Sequence, residues 1–533
     1  MKKKLLSITL ASTMALGMMA CAAPAAAPAA GAAPAAAPAA EAEAQTEAAA
    51  ETGAAEEAAP AAGEIKDIYI FAPIYMSIPE QESIDAVMAE VNKTMNPLGV
   101  NVNLEFTSAS VYNDELAMKI AGQEQVDLVG ITDNRYSGYI QSGSLMPLDD
   151  LLEKYGQDII AAYGGDDQLG WLLNATKVSG VRYAIPVMDN KFQQDYAVFN
   201  VPLLEKYNLD ASTVKSYKDM DALLSVIHEN EPGIKPVISG AIMLSGLTPF
   251  MLGVPEYENL GDGIGVLMGE DNWDVVDVFE TEEYENLCRD MHAWFEAGYI
   301  SEDITTSNET SDTYWKTGNA FSYLQSATTV SEENNSDAIT AQYGIESIAK
   351  QIMPSKATFL KYLNAIPSSS KNPEGAMIFL NELYKNADLV NTLYYGVEGK
   401  DWTMEGDLIK GVEGSTWFKN CGTCLYFMFG NYYLSKDTTN TGAGIVQTGY
   451  DIMLSCDKNR SLGFYFDSSN VSTQYTAVQN VLNEYRKGLE YGILDPDVEL
   501  PNFINKLKAA GIDDIIAEKQ AQLDAWAEAN GKK

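Results

Sequence analysis

The chain has 533 residues, with 35 Lys and Arg against 75 Asp and Glu, a formal net charge of −40 at pH 7. So acidic a molecule repels nucleic acid and anionic lipid headgroups and disfavours a polyanionic ligand, whereas neutral or cationic solutes fit. Two histidines and five cysteines leave little for a His-based triad or a metal cluster and do not make a disulfide framework, so no metal and no cofactor are expected.

At the N-terminus, Lys2, Lys3 and Lys4 precede an apolar run from Leu5 to Ala20. The run is too short to span a bilayer and ends on a small residue, which describes an export signal. Met18-Met19-Ala20-Cys21 resembles the lipobox of bacterial lipoproteins, with Met where that pattern usually carries Leu. The resemblance implies that Cys21 is lipidated and becomes the mature N-terminus, anchored by two acyl chains because a single one binds membranes only marginally. The alternative is a secreted protein with an incidental cysteine. Residues 22–64 are mostly Ala and Pro with scattered glutamates and no Lys, Arg or aromatic residue. Such a segment cannot bury enough surface to offset chain entropy, its early prolines oppose a helix, and its glutamates repel one another, so it is expected to be a disordered tether.

From Ile65 onward short apolar strands alternate with amphipathic helices. Ile68 to Phe71 reads as a strand, about 80–95 as a helix, Val100 to Phe106 as a second strand, Tyr112 to Ala121 as a helix and Val126 to Gly130 as a buried strand. This order predicts right-handed crossovers and a mostly parallel sheet, with ligands collecting beyond the carboxyl ends of the strands. The informative positions are then Tyr75, the stretch from Ser108 to Tyr112, and Asp133 with Asn134. Gly180 to Pro186 and Tyr196 to Asn200 are further strands, with a helix from Val201 to Tyr207 opening a second α/β block. Gly318 to Leu324 is a turn and strand, and Asn364 to Pro367 a strand ending at proline. Pro373 starts a helix that reaches Tyr384. Gly511 separates two final helices, with Asp513 placed to cap the last and Ile516, Leu523 and Trp526 near one docking face.

These residues resemble those of an extracellular solute-binding protein of a carbohydrate-type ABC importer. Val126 to Val129 followed by Tyr136 to Leu148 looks like that family's first-lobe signature. Tyr183-Ala-Ile-Pro186, Phe199-Asn200 and the Leu-Leu-Glu-Lys helix look like its crossing into the second lobe. Lys316 to Phe321, Ala365 to Pro367 and Pro373 to Ala376 resemble its later segments. Leu462-Gly463-Phe464, Leu494 to Asp497 and Ala509 to Asp513 are similar to the longer lipoprotein members. The resemblance runs from about Ile65 to Trp526. It implies an α/β, two-lobed periplasmic-binding-protein-like (type II) fold that closes by hinge motion, plus a C-terminal extension. The implied division is signal peptide and lipidated cysteine over 1–21, tether over 22–64, the first part of lobe 1 over 65–188, mainly lobe 2 over 189–360, and return segments with the extension over 361–533.

A sugar offers hydroxyls at its edges and C–H faces above and below, so its binder needs flat aromatic faces beside planar amides and carboxylates. With 29 Tyr and 7 Trp available, the stacking candidates are Tyr75, Tyr112, Trp171, Trp315, Tyr323, Trp402, Trp417, Tyr432 and Tyr433. Asp133, Asn134, Asp195 and Gln325 are the candidates for hydroxyls. For each aromatic the competing reading is core, and for Asp133 it is a helix cap. Cys421 and Cys424 have C-x-x-C spacing without the strand and helix of a redox motif, so a local disulfide or core thiols are expected. Gly261-Asp-Gly263-Ile-Gly265 follows no apolar strand and reads as a surface turn. The expectation is a monomeric, non-enzymatic lipoprotein on the outer face of the bacterial cytoplasmic membrane, delivering an oligosaccharide to ABC permease subunits. A binder of peptides or another solute and a surface polysaccharide-degrading enzyme are the alternatives.

Overall fold

The computed structural model describes residues 64–533 apart from 166, 239–253, 255, 303, 306–310 and 358–359. The export signal, Cys21 and all of the tether up to residue 63 lie outside the described residues.

The first sheet is built around β1 (Lys66–Ile74), which is buried from Ile70 to Ile74 because neighbours cover both faces. It pairs in parallel with β2 (Val100–Ser108) and β3 (Leu128–Thr132). Parallel neighbours require crossovers, and the helices Gln81–Met95 and Tyr112–Ala121 supply them. The first of these buries Ile84, Val87, Met88, Val91 and Met95, an apolar stripe at spacings of three and four that lies against the sheet. Two short strands, β4 (Lys177–Val178) and β5 (Val181–Arg182), form a hairpin before β6 (Ala184–Pro186), which closes the edge of this sheet.

The chain then leaves through residues 187–191 and enters β7 (Phe192–Asn200), the central strand of a second five-stranded sheet. Around β7 lie β8 (Lys235–Val237), β9 (Ala320–Ala327) and β10 (Ser347–Ala357), with β9 and β10 antiparallel to it. The return crossing at Lys361 leads to β11 (Tyr362–Ala365), antiparallel to β3 and β6 in the first sheet. The chain stays with that first core through the helices Pro373–Glu382 and Ala387–Tyr395 and the hairpin of β12 (Trp402–Glu405) and β13 (Leu408–Gly411). A third crossing carries β14 (Asp457–Lys458) onto β10. Two α/β lobes with separate cores, joined by three crossings, is the arrangement a hinge needs.

The remaining residues form the helices Ser472–Glu490, Pro496–Ala510 and Ile512–Ala529. Val478, Leu482, Leu489, Phe503, Leu507 and Ile515 join Leu287 and Met291 of the helix Glu282–Glu296 in one core, so the extension belongs to lobe 2. Gly511, at φ 94°, makes the sharp bend and is itself the N-cap of the last helix. Asp513 therefore does not cap that helix, as its spacing predicts. It sits in the first turn with Asp514, where negative charge suits the helix dipole.

Candidate functional site

A cleft of about 1890 Å³ lies between the two cores. One wall is the helix Asp133–Gln141, offering Asn134, Arg135 and Gln141, followed by Ser142 and Ser144. The floor comes from the crossings, as Asp189, Asn190, Gln193 and Lys361. Beside the floor lies a ring cluster of Tyr362, Tyr426, Phe427 and Tyr432. Its centroids are 5.6 Å apart for Tyr362 and Phe427 and 5.1 Å apart for Tyr426 with either Phe427 or Tyr432. Lobe 2 adds Thr328, Thr329 and Asn334 after β9. The extension closes the far wall with Phe464, Tyr465, Phe466, Tyr475 and Gln479, next to the loop bearing Tyr257, Asn259 and Asp262. Ligand sites for drug-sized molecules span roughly 300–1,000 Å³, so this cleft has room for a larger guest.

Charge is concentrated at the hinge. The Asp133 carboxylate accepts from the backbone N–H groups of Leu360 (2.8 Å) and Lys361 (3.3 Å), pinning the return crossing to the end of β3. Thr132 is the N-cap of the helix, so Asp133 does not cap it. Burial raises the Asp133 carboxyl, and the donated N–H bonds and the nearby Lys191 charge oppose that rise. Lys191 pairs with Asp189, both buried. Burial raises the Asp189 carboxyl and lowers the Lys191 ammonium, each offset in part by the other's charge. Lys361 turns the crossing with a left-handed φ of 58° and donates from Nζ to the Asn190 carbonyl at 2.6 Å. Burial pushes its ammonium down to about 8. The left-handed Lys361 and the desolvated charges are held at this crossing by the surrounding hydrogen bonds and ion pair.

Of the residues singled out from sequence, Asp133, Asn134 and Tyr432 line the cleft. Tyr75 is 55% exposed and adjoins the ring cluster, its hydroxyl against that of Tyr362 and its ring 6.1 Å from Phe427. Tyr433 stands behind the floor, donating to Asn190 Oδ1 at 3.0 Å. The others do not line the cleft. Tyr112 stacks on Phe71 in the lobe 1 core and donates to its carbonyl, while its neighbours Asn113 and Asp114 reach the cleft. Trp171 lies beneath the Lys458 ammonium, 4.7 Å from the ring centre. Trp315 is 1% exposed, edge-on to Tyr323 at 4.7 Å and donating to Ser347 Oγ. Trp402 and Trp417 are lobe 1 core, donating to the carbonyls of Gly396 and Leu393. Gln325 donates to Asn335 Oδ1 on lobe 2. Asp195 is buried on β7 and accepts from Ser326 Oγ on β9.

The sequence reading passed over Tyr426 and Phe427, and Phe464 to Phe466 with Tyr475. The dense aromatics from 425 to 433 carried a usable signal, as did Tyr475 and Gln479, four apart on one helix face. Cys421 and Cys424 are buried free thiols, and burial pushes Cys424 up to about 12, so both are core thiols.

Asp195 yields a stability prediction. Burial raises its carboxyl above the usual 3.8 to about 6. The folded state therefore keeps a proton that the unfolded chain loses, and this contribution, full below about pH 4, is lost as pH rises through 6. Asp195→Asn retains an acceptor for Ser326 and never ionises. It is expected to exceed wild-type stability at pH 7.5 by up to about 3 kcal/mol, with the gap closing toward pH 4.5. Urea titrations at both pH values check this, and equal stabilities at pH 7.5 would contradict it.

A two-lobed body with a guest-sized, hydroxyl-, amide- and ring-lined cleft at its hinge matches a known pattern. Residues 77–389, more than half of the chain, match the family model described as bacterial extracellular solute-binding protein. The chain belongs to that family. A second model, a domain of unknown function (DUF3502), matches residues 460–528. A carbohydrate ABC transporter substrate-binding protein of Streptococcus pneumoniae is 26% identical over 469 residues, 85% of this chain and 90% of that protein. The crystal structure of the N-glycan transport solute binding protein NgtS of Streptococcus pneumoniae superposes with a TM-score of 0.72 at 23% identity. It covers 87% of this chain and 99% of that one. The same protein in complex with Man5GlcNAc gives 0.64 at 22% identity, over the same shares. The relatives are binding proteins. Among the described residues of this family member, no helix is long and apolar enough to cross a membrane.

Proposed function

We propose that this solute-binding protein captures an oligosaccharide in the cleft by closing its two lobes and presents it, without turnover, to the permease subunits of an ABC importer. It works as a monomer on the outer face of the cytoplasmic membrane, held by acyl chains on Cys21. The observation that carries the reading is the composition of the cleft. Four clustered rings lie beside amides, hydroxyls and carboxylates, in a volume of about 1890 Å³. Rings take the C–H faces of sugars, and planar polar groups bridge their hydroxyls. The carbohydrate role of the 26%-identical relative supports it.

Closure is driven by ligand to the extent that the closed form binds it better. Asp133, Lys361 and Asn190 tie two of the three crossings together at the floor, so the lobes pivot there while their sheets stay rigid.

The test is a thermal-shift screen of the compact unit, residues 60–533, against mono- and oligosaccharides, including Man1GlcNAc and Man5GlcNAc, and against short peptides. A ligand that binds only the native state raises its melting temperature, by about 2.7 kcal/mol of added stability at a hundred times Kd. A shift with an oligosaccharide series and no released reducing ends is expected. Shifts with peptides alone would move the substrate to another class, and released reducing ends would make the protein an enzyme.

A further inference from the structure

The three C-terminal helices carry their apolar residues inward to the lobe 2 core, yet one face of the first helix is turned elsewhere. Tyr475 and Gln479 are four residues apart on it and both line the cleft. Beside them, Phe466 lies 6.5 Å from the Tyr475 ring. The Tyr475 hydroxyl donates to Asp262 Oδ2 at 3.2 Å. Asp262 Oδ1 is held by the ammonium of Lys519 at 2.5 Å and by the Ile264 N–H at 2.8 Å. Lys519 is 0% exposed, and its ammonium also caps the Phe466 ring at 4.9 Å. The side chains at this wall are thus locked in place by buried partners before any ligand arrives, the condition for a precise polar site.

This group is separate from the Tyr362–Tyr432 cluster. The latter packs on the lobe 1 core and the former on the lobe 2 core. A strap also ties the extension to lobe 1. Leu462 and Tyr465 pack on the lobe 1 core, with Tyr465 edge-on to Tyr136 at 5.0 Å. Gly463, at φ 93°, lies so close to Ala175 that a Cβ would meet its Cα and carbonyl oxygen at 3.0 Å. The extension therefore touches both lobes, and its ring pair is built on a different core from the rings of lobe 1.

We propose that the C-terminal domain carries a second sugar subsite, in which Phe466 and Tyr475 stack on, and Asp262 and Gln479 bridge hydroxyls of, units of a glycan beyond those held at the lobe 1 ring cluster. The extension then reads chain length. This inference rests on the oligosaccharide reading of the cleft.

Calorimetric titration of wild type, Tyr475→Ala and Gln479→Ala with Man1GlcNAc and Man5GlcNAc tests it. Where another series gives the shift in the saccharide screen, its shortest and longest members take their place. The short glycan is expected to bind all three proteins within about twofold, while the long one loses about tenfold with Tyr475→Ala, a change of about 1.4 kcal/mol, and less with Gln479→Ala. Gln479→Ala removes only a half-buried amide, so it reports even where Tyr475→Ala fails to fold. Equal losses for both glycans would mean that the two ring groups sandwich one sugar, and unchanged affinities would mean that the wall is structural; either overturns the subsite while leaving the oligosaccharide reading intact. A wild type that binds no saccharide overturns both.

Discussion

Trp417→Ala is expected to cost about 3–5 kcal/mol of stability and to leave the sugar affinity of the folded protein unchanged. From sequence this residue is a stacking candidate in an aromatic-rich stretch, and the fold answers differently. Trp417 is 0% exposed, on the short helix Thr416–Asn420 whose N-cap Ser415 accepts from the Phe418 N–H. Its indole donates to the Leu393 carbonyl at 3.3 Å and its ring lies 5.9 Å from Phe106 on β2. Truncation would open a cavity between elements far apart in sequence and strip a buried carbonyl of its donor. Against a total stability of roughly 5–15 kcal/mol for a domain, that loss is large. The check is a urea midpoint that falls with an unchanged slope, beside a saccharide titration on the folded fraction. Lost affinity with intact stability would return Trp417 to the binding site.

Glu258→Ala is expected to be as damaging, by about 3–5 kcal/mol, because it breaks a buried charge network from one side. Glu258 is 2% exposed and accepts from the N–H groups of Arg460 and Ser461, both at 2.9 Å, and from Ser461 Oγ. Lys356 Nζ lies 3.8 Å away and Arg460 Nε 3.3 Å. Alanine would remove a carboxylate shared by the Arg460 and Ser461 N–H groups and the Lys356 and Arg460 side chains at the third crossing, where the extension begins. The damage should therefore be local as well as global. Hydrogen exchange over 461–490 should quicken before that of the lobe 1 sheet, and saccharide binding should weaken with it. Glu258→Gln, which keeps one acceptor oxygen but replaces the other by an NH2 donor and removes the charge, should fall between. Uniform exchange across both lobes would show that Glu258 does not anchor the extension.

The chain's own periodicity specifies much of the architecture. Alternation at two residues and stripes at three and four write β1, β2, β3 and their crossover helices directly, since both patterns arise within single elements. Asn372 before Pro373 is likewise local, and it caps its helix as such a residue should. The net charge of −40 disfavours nucleic acid and anionic lipid surfaces as partners without any knowledge of the fold.

Which individual rings of an aromatic-rich stretch meet the cleft is not written locally: Tyr426, Phe427 and Tyr432 line it and Phe429 does not. Trp315 and Tyr426 look alike from their neighbours, yet one faces Ser347 inside lobe 2 and the other lines the site. The partners that decide such fates lie far off along the chain. Tyr75 meets Tyr362 across 287 positions, Asp133 meets Leu360 across 227, and Glu258 meets Arg460 across 202. The same holds for the C-terminal extension, whose inward stripe is legible but whose Tyr475 and Gln479 become a cleft wall only through the Asp262 loop and the Tyr465 strap. Burial of a given ring depends on which distant surface covers it, and that is a property of the packed lobes rather than of any window of sequence.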